Sequence, residues 1–201
     1  TGWPRILSRY AHLAEHPAPE ILVADLASPE LETALFDHGP LDELDSLLHV
    51  AGMVELAPVA DIGINPMLDT LMVNLVGPTA LTGWALPALR AARGTAVFVN
   101  STAALHAQAG WASYRASKTG LRAVADVLRA EESTNGVRVT TVLPGRTATP
   151  MQQRVREQEE GTYEPSEYLD PATVAASIVS VLDLPRDATM PELILRPAPR
   201  D

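Results

Sequence analysis

Cysteine is absent from the 201 residues of this sequence. Its absence excludes disulfide bonds, a thiolate nucleophile and zinc sites with cysteine ligands. The sequence also lacks an apolar run of about 18 residues, so no transmembrane helix is predicted. It shows no basic start followed by an apolar stretch and a cleavage site, which leaves secretion without support. We therefore expect a cytoplasmic protein without a membrane partner.

Basic residues are scarce: 15 Lys and Arg stand against 25 Asp and Glu, which gives a formal net charge of −10. Such a charge repels phosphate backbones, and no basic stripe is present, so we expect no nucleic-acid partner.

Histidine is limited to five residues. His12 and His16 share one face of a predicted helix. No third ligand is evident beside them, so no metal site is predicted.

Short apolar runs alternate with longer segments of helical periodicity. The predicted strands cover residues 21–24, 45–52, 95–100, 137–143 and 192–196. The predicted helices cover residues 6–16, 28–38, 66–90, 113–132 and 171–182. This alternation predicts an α/β fold, with a doubly wound parallel sheet and helices on both faces. The length and the 46% of hydrophobic residues indicate a single domain over residues 1–201.

Polar or small residues stand at four predicted strand ends. They are Asp25, Gly52, Asn100–Ser101 and Pro144–Gly145. In open parallel sheets, ligands bind outside the carboxyl ends of the strands. We therefore expect the functional site at this edge of the sheet.

Tyr114 and Lys118 are four residues apart on a predicted helix, so both side chains project from one face. Reduction of a carbonyl group needs a proton donor at the oxygen while hydride reaches the carbon. A nearby ammonium favours the phenolate and lowers the pKa of a tyrosine toward neutral pH, as acid–base catalysis requires. Ser101, just past a strand end, is placed to hydrogen-bond the substrate oxygen. The Tyr–Lys spacing is also typical of an amphipathic surface pair, and by itself leaves both interpretations open.

The wider pattern resembles the short-chain dehydrogenase/reductase family. That family has a Tyr-x-x-x-Lys motif, a Ser thirteen residues before the Tyr and an Asn on the preceding long helix. Tyr114, Lys118, Ser101 and Asn74 match these positions. By this resemblance, Tyr114 is the acid/base, Lys118 lowers its pKa and binds the nicotinamide ribose, Ser101 orients the substrate oxygen, and Asn74 holds a water in a proton relay.

The resemblance implies a Rossmann-like oxidoreductase that reduces a ketone or aldehyde, or oxidises a secondary alcohol, with NADP(H) or NAD(H). The implied partner is thus a small-molecule carbonyl or alcohol substrate. Further segments resemble the family's cofactor-binding positions: Asp25–Leu26 near the adenine ring, Ala51–Gly52, Pro144–Gly145 and Thr149. His49 stands where the family has Asn, and we expect it to be a hydrogen-bonded structural residue rather than a catalytic one.

The family's glycine-rich Thr-Gly-x-x-x-Gly-x-Gly segment has no counterpart, because the next glycine after Gly2 is Gly39. That segment would bind the cofactor's pyrophosphate through backbone N–H groups and a helix N-terminus. Two interpretations stay open. Either the native protein carries a first βαβ unit that this chain omits, or the protein is a shortened homologue that cannot bind cofactor. In both cases we expect weak or no binding of NAD(P)H by this polypeptide.

Residues 151–170 occupy the family's substrate-lid position and are interpreted either as a lid or as a disordered loop.

The two long helices carry apolar stripes, at Leu81, Trp84 and Leu89 and at Leu121, Val124 and Leu128. These stripes fit a packed core, and the family commonly pairs the same helices across a homodimer or homotetramer interface. Homo-oligomerisation is therefore a working hypothesis. The competing hypothesis for function is a non-catalytic binding or oligomerisation module that keeps the fold but binds no cofactor.

Overall fold

The computed structural model describes residues 22–198, and the predicted helix at residues 6–16 lies outside them. The elements are α1 (Leu31–His38), β1 (Ser46–His49), α2 (Ile64–Leu71), α3 (Gly77–Ala92), β2 (Thr95–Val99), α4 (Ala112–Glu132), β3 (Arg138–Pro144), α5 (Pro150–Gln158), α6 (Pro171–Leu182) and β4 (Glu192–Leu195). A π-helical turn, Met72–Val76, joins α2 to α3, and short 3₁₀ turns lie at Thr102–Ala104 and Pro165–Glu167. From β1 onward, the predicted alternation of strands and helices is confirmed.

The sheet contains four described strands, all parallel, in the order β1-β2-β3-β4. Thr95 of β2 pairs with Ser46 of β1 on one side and with Arg138 of β3 on the other. Thr141 of β3 pairs with Glu192 of β4. Because every pair is parallel, the carboxyl ends of the strands share one edge of the sheet. The α/β class is therefore confirmed, and this edge is where the predicted site residues gather.

Helices cover both faces of the sheet. On one face, Ala96 and Phe98 of β2 pack in a cluster with α3 and α4. On the other face, Val97 packs against Val174 and Ile178 of α6. The alternation follows from the two-residue period of a strand. Leu89, Leu121 and Leu128 belong to the first cluster, so the core interpretation holds for these three residues, and homo-oligomerisation stays a prediction.

The strand predicted at residues 21–24 is wrong over its described part, because residues 22–25 form no strand. Val23 is 73% exposed. A strand needs a neighbour that pairs with its backbone N–H and C=O groups. Within the described residues, β1 pairs with β2 alone and has no partner on its outer edge. The apolar run at residues 21–24 predicted a buried strand, and burial of its described residues would require such a pairing partner.

Helix α5 (Pro150–Gln158) covers the first part of residues 151–170, the stretch interpreted as a lid or a loop. Thr149 caps this helix, since its Oγ1 accepts a hydrogen bond from the backbone N of Gln152 at 3.2 Å. Pro150 follows at the first helical position. Both are start signals for a helix. The helix buries only Gln152 and Val155, so its apolar periodicity is too weak to be recognised from sequence.

Candidate active site

Ser101, Tyr114 and Lys118 line one cleft of about 830 Å³. Ser101 lies two residues after the end of β2, while Tyr114 and Lys118 lie one turn apart near the start of α4. The sheet edge and the helix start therefore bring the three predicted catalytic side chains together. Trp111 and Val155 pack against Tyr114 and close one side of the site.

Lys118 is buried at the base of the cleft, with 4% of its surface exposed. Its Nζ donates a hydrogen bond to the carbonyl oxygen of Val99 at 3.0 Å. Asn100 Nδ2 donates to the carbonyl oxygen of Lys118 at 2.9 Å, so α4 is tied to the end of β2. Burial lowers the pKa of Lys118 to about 8, because the ammonium loses its hydration. This amine can therefore gain and lose a proton near neutral pH.

Tyr114 is also buried, with 8% of its surface exposed, and its ring meets Trp111 edge to face at a centroid distance of 5.7 Å. Burial raises the pKa of Tyr114, while a side-chain hydrogen bond with Ser101 acts in the lowering direction. Lys118 Nζ lies 5.8 Å from the centroid of the phenol ring. The sequence prediction of a lowered pKa for Tyr114 is thus wrong, because desolvation of the phenolate prevails. The phenol is protonated at neutral pH, the state that can donate to a carbonyl oxygen.

Asn74 lies in the π-helical turn and is fully buried. Its Oδ1 accepts from the backbone N of Met53 at 2.8 Å, and its Nδ2 donates to the Met53 carbonyl at 2.8 Å and to Ser117 Oγ at 3.0 Å. Both amide hydrogens are therefore used to hold the loop after β1 against α4. A π turn inside a helix is frequent at functional sites. The water relay through Asn74 stays a prediction.

Gly52 belongs to the same loop and lets it approach the two buried polar groups. A Cβ at this position would lie 3.3 Å from Asn74 Oδ1 and 3.6 Å from Lys118 Nζ. A side chain at this position would therefore crowd the Asn74 amide oxygen, whereas its distance to Lys118 Nζ is an ordinary van der Waals contact. Glycine thus lets the loop lie close to the Asn74 side chain.

Gly52, Pro144, Gly145 and Thr149 line the cleft together with Tyr114 and Lys118. The other predicted cofactor-binding residues lie outside its lining: Ala51, Asp25 and Leu26. The Leu26 carbonyl instead contacts Gly77 at the start of α3. Within the part of the chain that the structure describes, no Asp or Glu lines the cleft, so its lining and the buried Lys118 ammonium fit the nicotinamide and ribose half of an anionic cofactor. The described residues form no glycine-rich turn for the phosphates.

His49 is a buried structural residue, as expected. Its Nε2 lies 2.8 Å from Thr82 Oγ1, and the Thr82 hydroxyl donates to the Pro78 carbonyl at 2.8 Å. Because the hydroxyl hydrogen is already used, His49 Nε2 carries the hydrogen and donates. The imidazole also stacks on Phe98 with a centroid distance of 4.8 Å. Burial, and then the charge of Lys118, lower the pKa of His49 to about 4.

Arg146 and Trp111 also line the cleft, and the sequence analysis did not single them out. The Arg146 guanidinium lies over the Trp111 ring at 5.7 Å from its centroid. Its Nη1 and Nη2 donate to the Glu159 carboxylate at 2.8 and 2.6 Å. A signal for Arg146 was present, since it directly follows Pro144–Gly145 at a strand end, where ligands bind.

The sequence profile described as short chain dehydrogenase matches residues 11–160. The chain belongs to this family. The matched range contains Asn74, Ser101, Tyr114 and Lys118, which are the four residues predicted to be catalytic. The described residues contain no helix long and apolar enough to cross a membrane. The same residues contain no group of three or more His, Asp or Glu able to hold a metal ion.

Two curated relatives illustrate the similarity. The chain is 33% identical over 135 residues to an uncharacterized oxidoreductase of Schizosaccharomyces pombe, covering 67% of this chain and 53% of that protein. It is 32% identical over 138 residues to a dehydrogenase/reductase SDR family protein 7-like of Drosophila melanogaster, covering 66% of this chain and 42% of that protein. The chain thus spans about half the length of these relatives.

Solved structures share the fold. An alcohol dehydrogenase from the archaeon Thermococcus sibiricus, complexed with 5-hydroxy-NADP, matches with a TM-score of 0.80 and 22% identity, covering 99% of this chain and 86% of that one. An oxidoreductase from E. coli matches with a TM-score of 0.80 and 24% identity, covering 95% of this chain and 80% of that one. At these identities, the likeness establishes the Rossmann-like fold alone.

Proposed function

We propose that this protein is an oxidoreductase that uses NADP(H) or NAD(H) to interconvert a ketone or aldehyde and the corresponding alcohol. The observation that carries this proposal is the meeting of Ser101, Tyr114 and Lys118 in one cleft. Membership of the short chain dehydrogenase family supports the same reaction class. NADP(H) is the first cofactor to test, because reductive members of the family commonly use it.

In the reducing direction, the carbonyl oxygen would lie between the hydroxyl groups of Ser101 and Tyr114. Ser101 Oγ accepts a hydrogen bond from the Ala103 backbone at 3.1 Å and keeps its own hydrogen for donation. The Tyr114 hydroxyl donates its proton to the substrate oxygen as negative charge develops there. A reduced nicotinamide, when bound, supplies the hydride that reaches the carbonyl carbon.

Lys118 would return the proton to Tyr114 after each turnover. Its ammonium, 5.8 Å from the phenol ring centroid, stabilises the phenolate left by proton donation. Because the pKa of Lys118 is lowered to about 8, proton exchange with solvent costs little near neutral pH. Asn74 acts as a positioning residue, since its amide fixes the loop that carries Gly52 and Met53. Gly52, Pro144, Gly145 and Thr149 would hold the nicotinamide half of the cofactor.

The test is oxidation of NADPH or NADH, followed by absorbance, with a panel of ketones and aldehydes. Millimolar cofactor is used because the sequence contains no glycine-rich phosphate loop. We expect turnover by the wild type and a loss of at least about 100-fold in Tyr114→Phe. Tyr163→Phe, which lies outside the lining of the cleft, serves as the matched control.

Two outcomes would refute this function. One is the absence of cofactor oxidation over the whole panel by a folded wild type that binds NADPH or NADH in a fluorescence titration. The other is unchanged turnover in Tyr114→Phe. Circular dichroism and thermal unfolding of each variant exclude loss of the fold as the cause.

A further inference from the structure

The charge of the cleft differs from the charge of the protein. Acidic residues outnumber basic ones by 25 to 15 over the whole chain, but among residues 22–198 no Asp or Glu lines the cleft that contains Tyr114. The charged residues of this described range that line it are Lys118 and Arg146. Without a carboxylate in the lining, a buried or half-buried cation attracts an anion strongly, because little charge or water screens it.

Tyr114 lies beside Lys118 and beside the residue that contacts Arg146: its ring centroid is 5.8 Å from Lys118 Nζ and 5.7 Å from the Trp111 ring centroid. Along the chain, Tyr114 stands between Trp111, the N-cap residue of α4, and Lys118, with a spacing of about one helical turn on each side. Lys118 Nζ binds the Val99 carbonyl near Gly52, on the side that would hold the cofactor. The Arg146 guanidinium lies over Trp111. A substrate whose carbonyl group reaches Tyr114 from the Trp111 side therefore passes close to Arg146.

Arg146 keeps surplus positive charge in spite of its ion pair. Its two bonds to Glu159 use two of the five N–H donors of the guanidinium. Glu159 also accepts from Arg156 Nη1 at 2.7 Å, so two guanidiniums share one carboxylate. The cluster of Arg146, Arg156 and Glu159 thus carries one net positive charge. The Arg146 side chain is 32% exposed, which leaves it accessible to a ligand.

We propose that the substrate of this oxidoreductase carries an anionic group, which binds Arg146 while the reacting carbonyl reaches Ser101 and Tyr114. The inference rests on the proposed function. The planar guanidinium binds a carboxylate through paired hydrogen bonds. Trp111 supports its flat face, and Glu159 fixes its direction. Arg146 is therefore a specificity-determining residue, and Glu159 is a positioning residue.

The experiment compares keto acids with their neutral methyl esters. The probes are 2-oxohexanoate and 4-oxopentanoate, which place the carboxylate at two distances from the ketone. We expect the wild type to prefer at least one acid over its ester in kcat/KM. Arg146→Gln should reduce this acid-to-ester ratio about 10- to 100-fold, the effect of losing a charge-assisted hydrogen bond. Arg154→Gln, an exposed arginine on the same helix as Arg156, should leave the ratio unchanged.

Glu159→Gln separates substrate binding from a structural role of the ion pair. Arg146→Gln and Glu159→Gln break the same ion pair, but only the first removes the cation. If Arg146 binds the substrate anion, Glu159→Gln maintains or raises the acid-to-ester ratio, because the Gln amide oxygen still accepts from Arg146 while the competing negative charge is lost. If the pair merely holds α5 in place, both variants change the ratio equally or not at all, and the proposal is overturned. A wild type without any preference for either acid also overturns it.

Calorimetric titration with 4-oxopentanoate and 2-oxohexanoate in the presence of NADP⁺ gives a readout independent of turnover. We expect binding of at least one acid by the wild type and weaker binding by Arg146→Gln. If no variant turns over any ketone but the wild type still binds an acid through Arg146, the proposed function fails and the anion site stands. If turnover depends on Tyr114 but neither acid is preferred, the proposed function stands and the anion site fails.

Discussion

The two sides of the sheet differ in how completely the described residues build them. Strand β2 has a partner on each edge and helices on both faces, and its residues Thr95 to Phe98 are at most 3% exposed. Within residues 22–198, strand β1 has a partner on one edge only, and its residue Leu48 and the nearby Val50 are 39% and 64% exposed. Among these described residues, the β2–β3 side is thus a complete core, the finished side, whereas the β1 side is an open edge, the open side.

The predicted site residues are divided between the same two sides of the sheet. Ser101, Tyr114 and Lys118 extend from the finished side and share one cleft. Asp25, Leu26 and Ala51, predicted to bind the cofactor, belong to the open side and lie outside the cleft lining. The proposed proton transfer and the predicted binding of the distant half of the cofactor are thus assigned to different parts of the chain. Single substitutions can test each side separately.

The largest effect is expected from Ser101→Ala on the finished side. Loss of the hydroxyl that hydrogen-bonds the substrate oxygen should reduce kcat/KM by about 100- to 1000-fold. Steady-state rates with the best ketone of the panel measure it. Ser180→Ala, an exposed serine on α6, is the control and should keep the wild-type rate. A loss of less than about tenfold would remove Ser101 from the mechanism.

His49→Asn should remove a large part of the acid sensitivity of folding. The pKa of His49 is about 4 in the folded protein, below its ordinary 6.5. Between these pH values the unfolded chain binds a proton that the folded chain does not, so stability falls as pH falls from about 6.5 to 4. The shift corresponds to about 3 kcal/mol. Urea unfolding at pH 7 and pH 4 should show this difference in the wild type and lack it in the variant.

His106→Asn provides the matched control for that measurement, because His106 is exposed. It should retain the acid sensitivity of the wild type. An equal pH dependence in wild type and His49→Asn would show that His49 is not buried as described.

The contrast between the two sides also predicts a difference in packing energy. Val97→Ala, in the centre of β2, should lower the free energy of unfolding by about 2 kcal/mol. Val50→Ala, at the open edge, should change it by less than about 0.5 kcal/mol. Chemical denaturation of both variants measures the difference. Similar losses at both positions would indicate that another part of the protein covers the β1 edge in solution.

Lys118→Met is expected to raise the free energy of unfolding, by a smaller amount than Val97→Ala lowers it. Burial places the Lys118 pKa at about 8, below its ordinary 10.5, so the charged form destabilises the fold at all pH values below about 8. This cost disappears as pH rises toward 10.5. The variant should lose turnover but gain about 1–2 kcal/mol of stability at pH 7, reduced by the loss of the donor to the Val99 carbonyl. The gain should be absent at pH 10.5, and a less stable variant at pH 7 would contradict the buried-ammonium assignment.

Local sequence patterns correctly predicted the strand and the helical spacing on the finished β2–β3 side of the sheet. The apolar run at residues 95–100 and the four-residue spacing of Tyr114 and Lys118 depend only on neighbouring residues, and both agree with the structure. Residues 22–25 could not be assigned in this way, because forming a strand depends on a partner elsewhere in the chain. Arg146 was missed since its relation to Trp111 and Glu159 arises from tertiary contact. The direction of the Tyr114 pKa shift depends on burial, which spacing does not reveal.

The most direct test of the account is a double-mutant cycle on kcat/KM with Ser101→Ala and Tyr114→Phe. The two hydroxyl groups are proposed to act on one substrate oxygen in one cleft, so their effects should not add. The double variant should be about as slow as Tyr114→Phe alone. Losses that multiply, as for two independent sites, would contradict the claim that Ser101 and Tyr114 form a single catalytic unit.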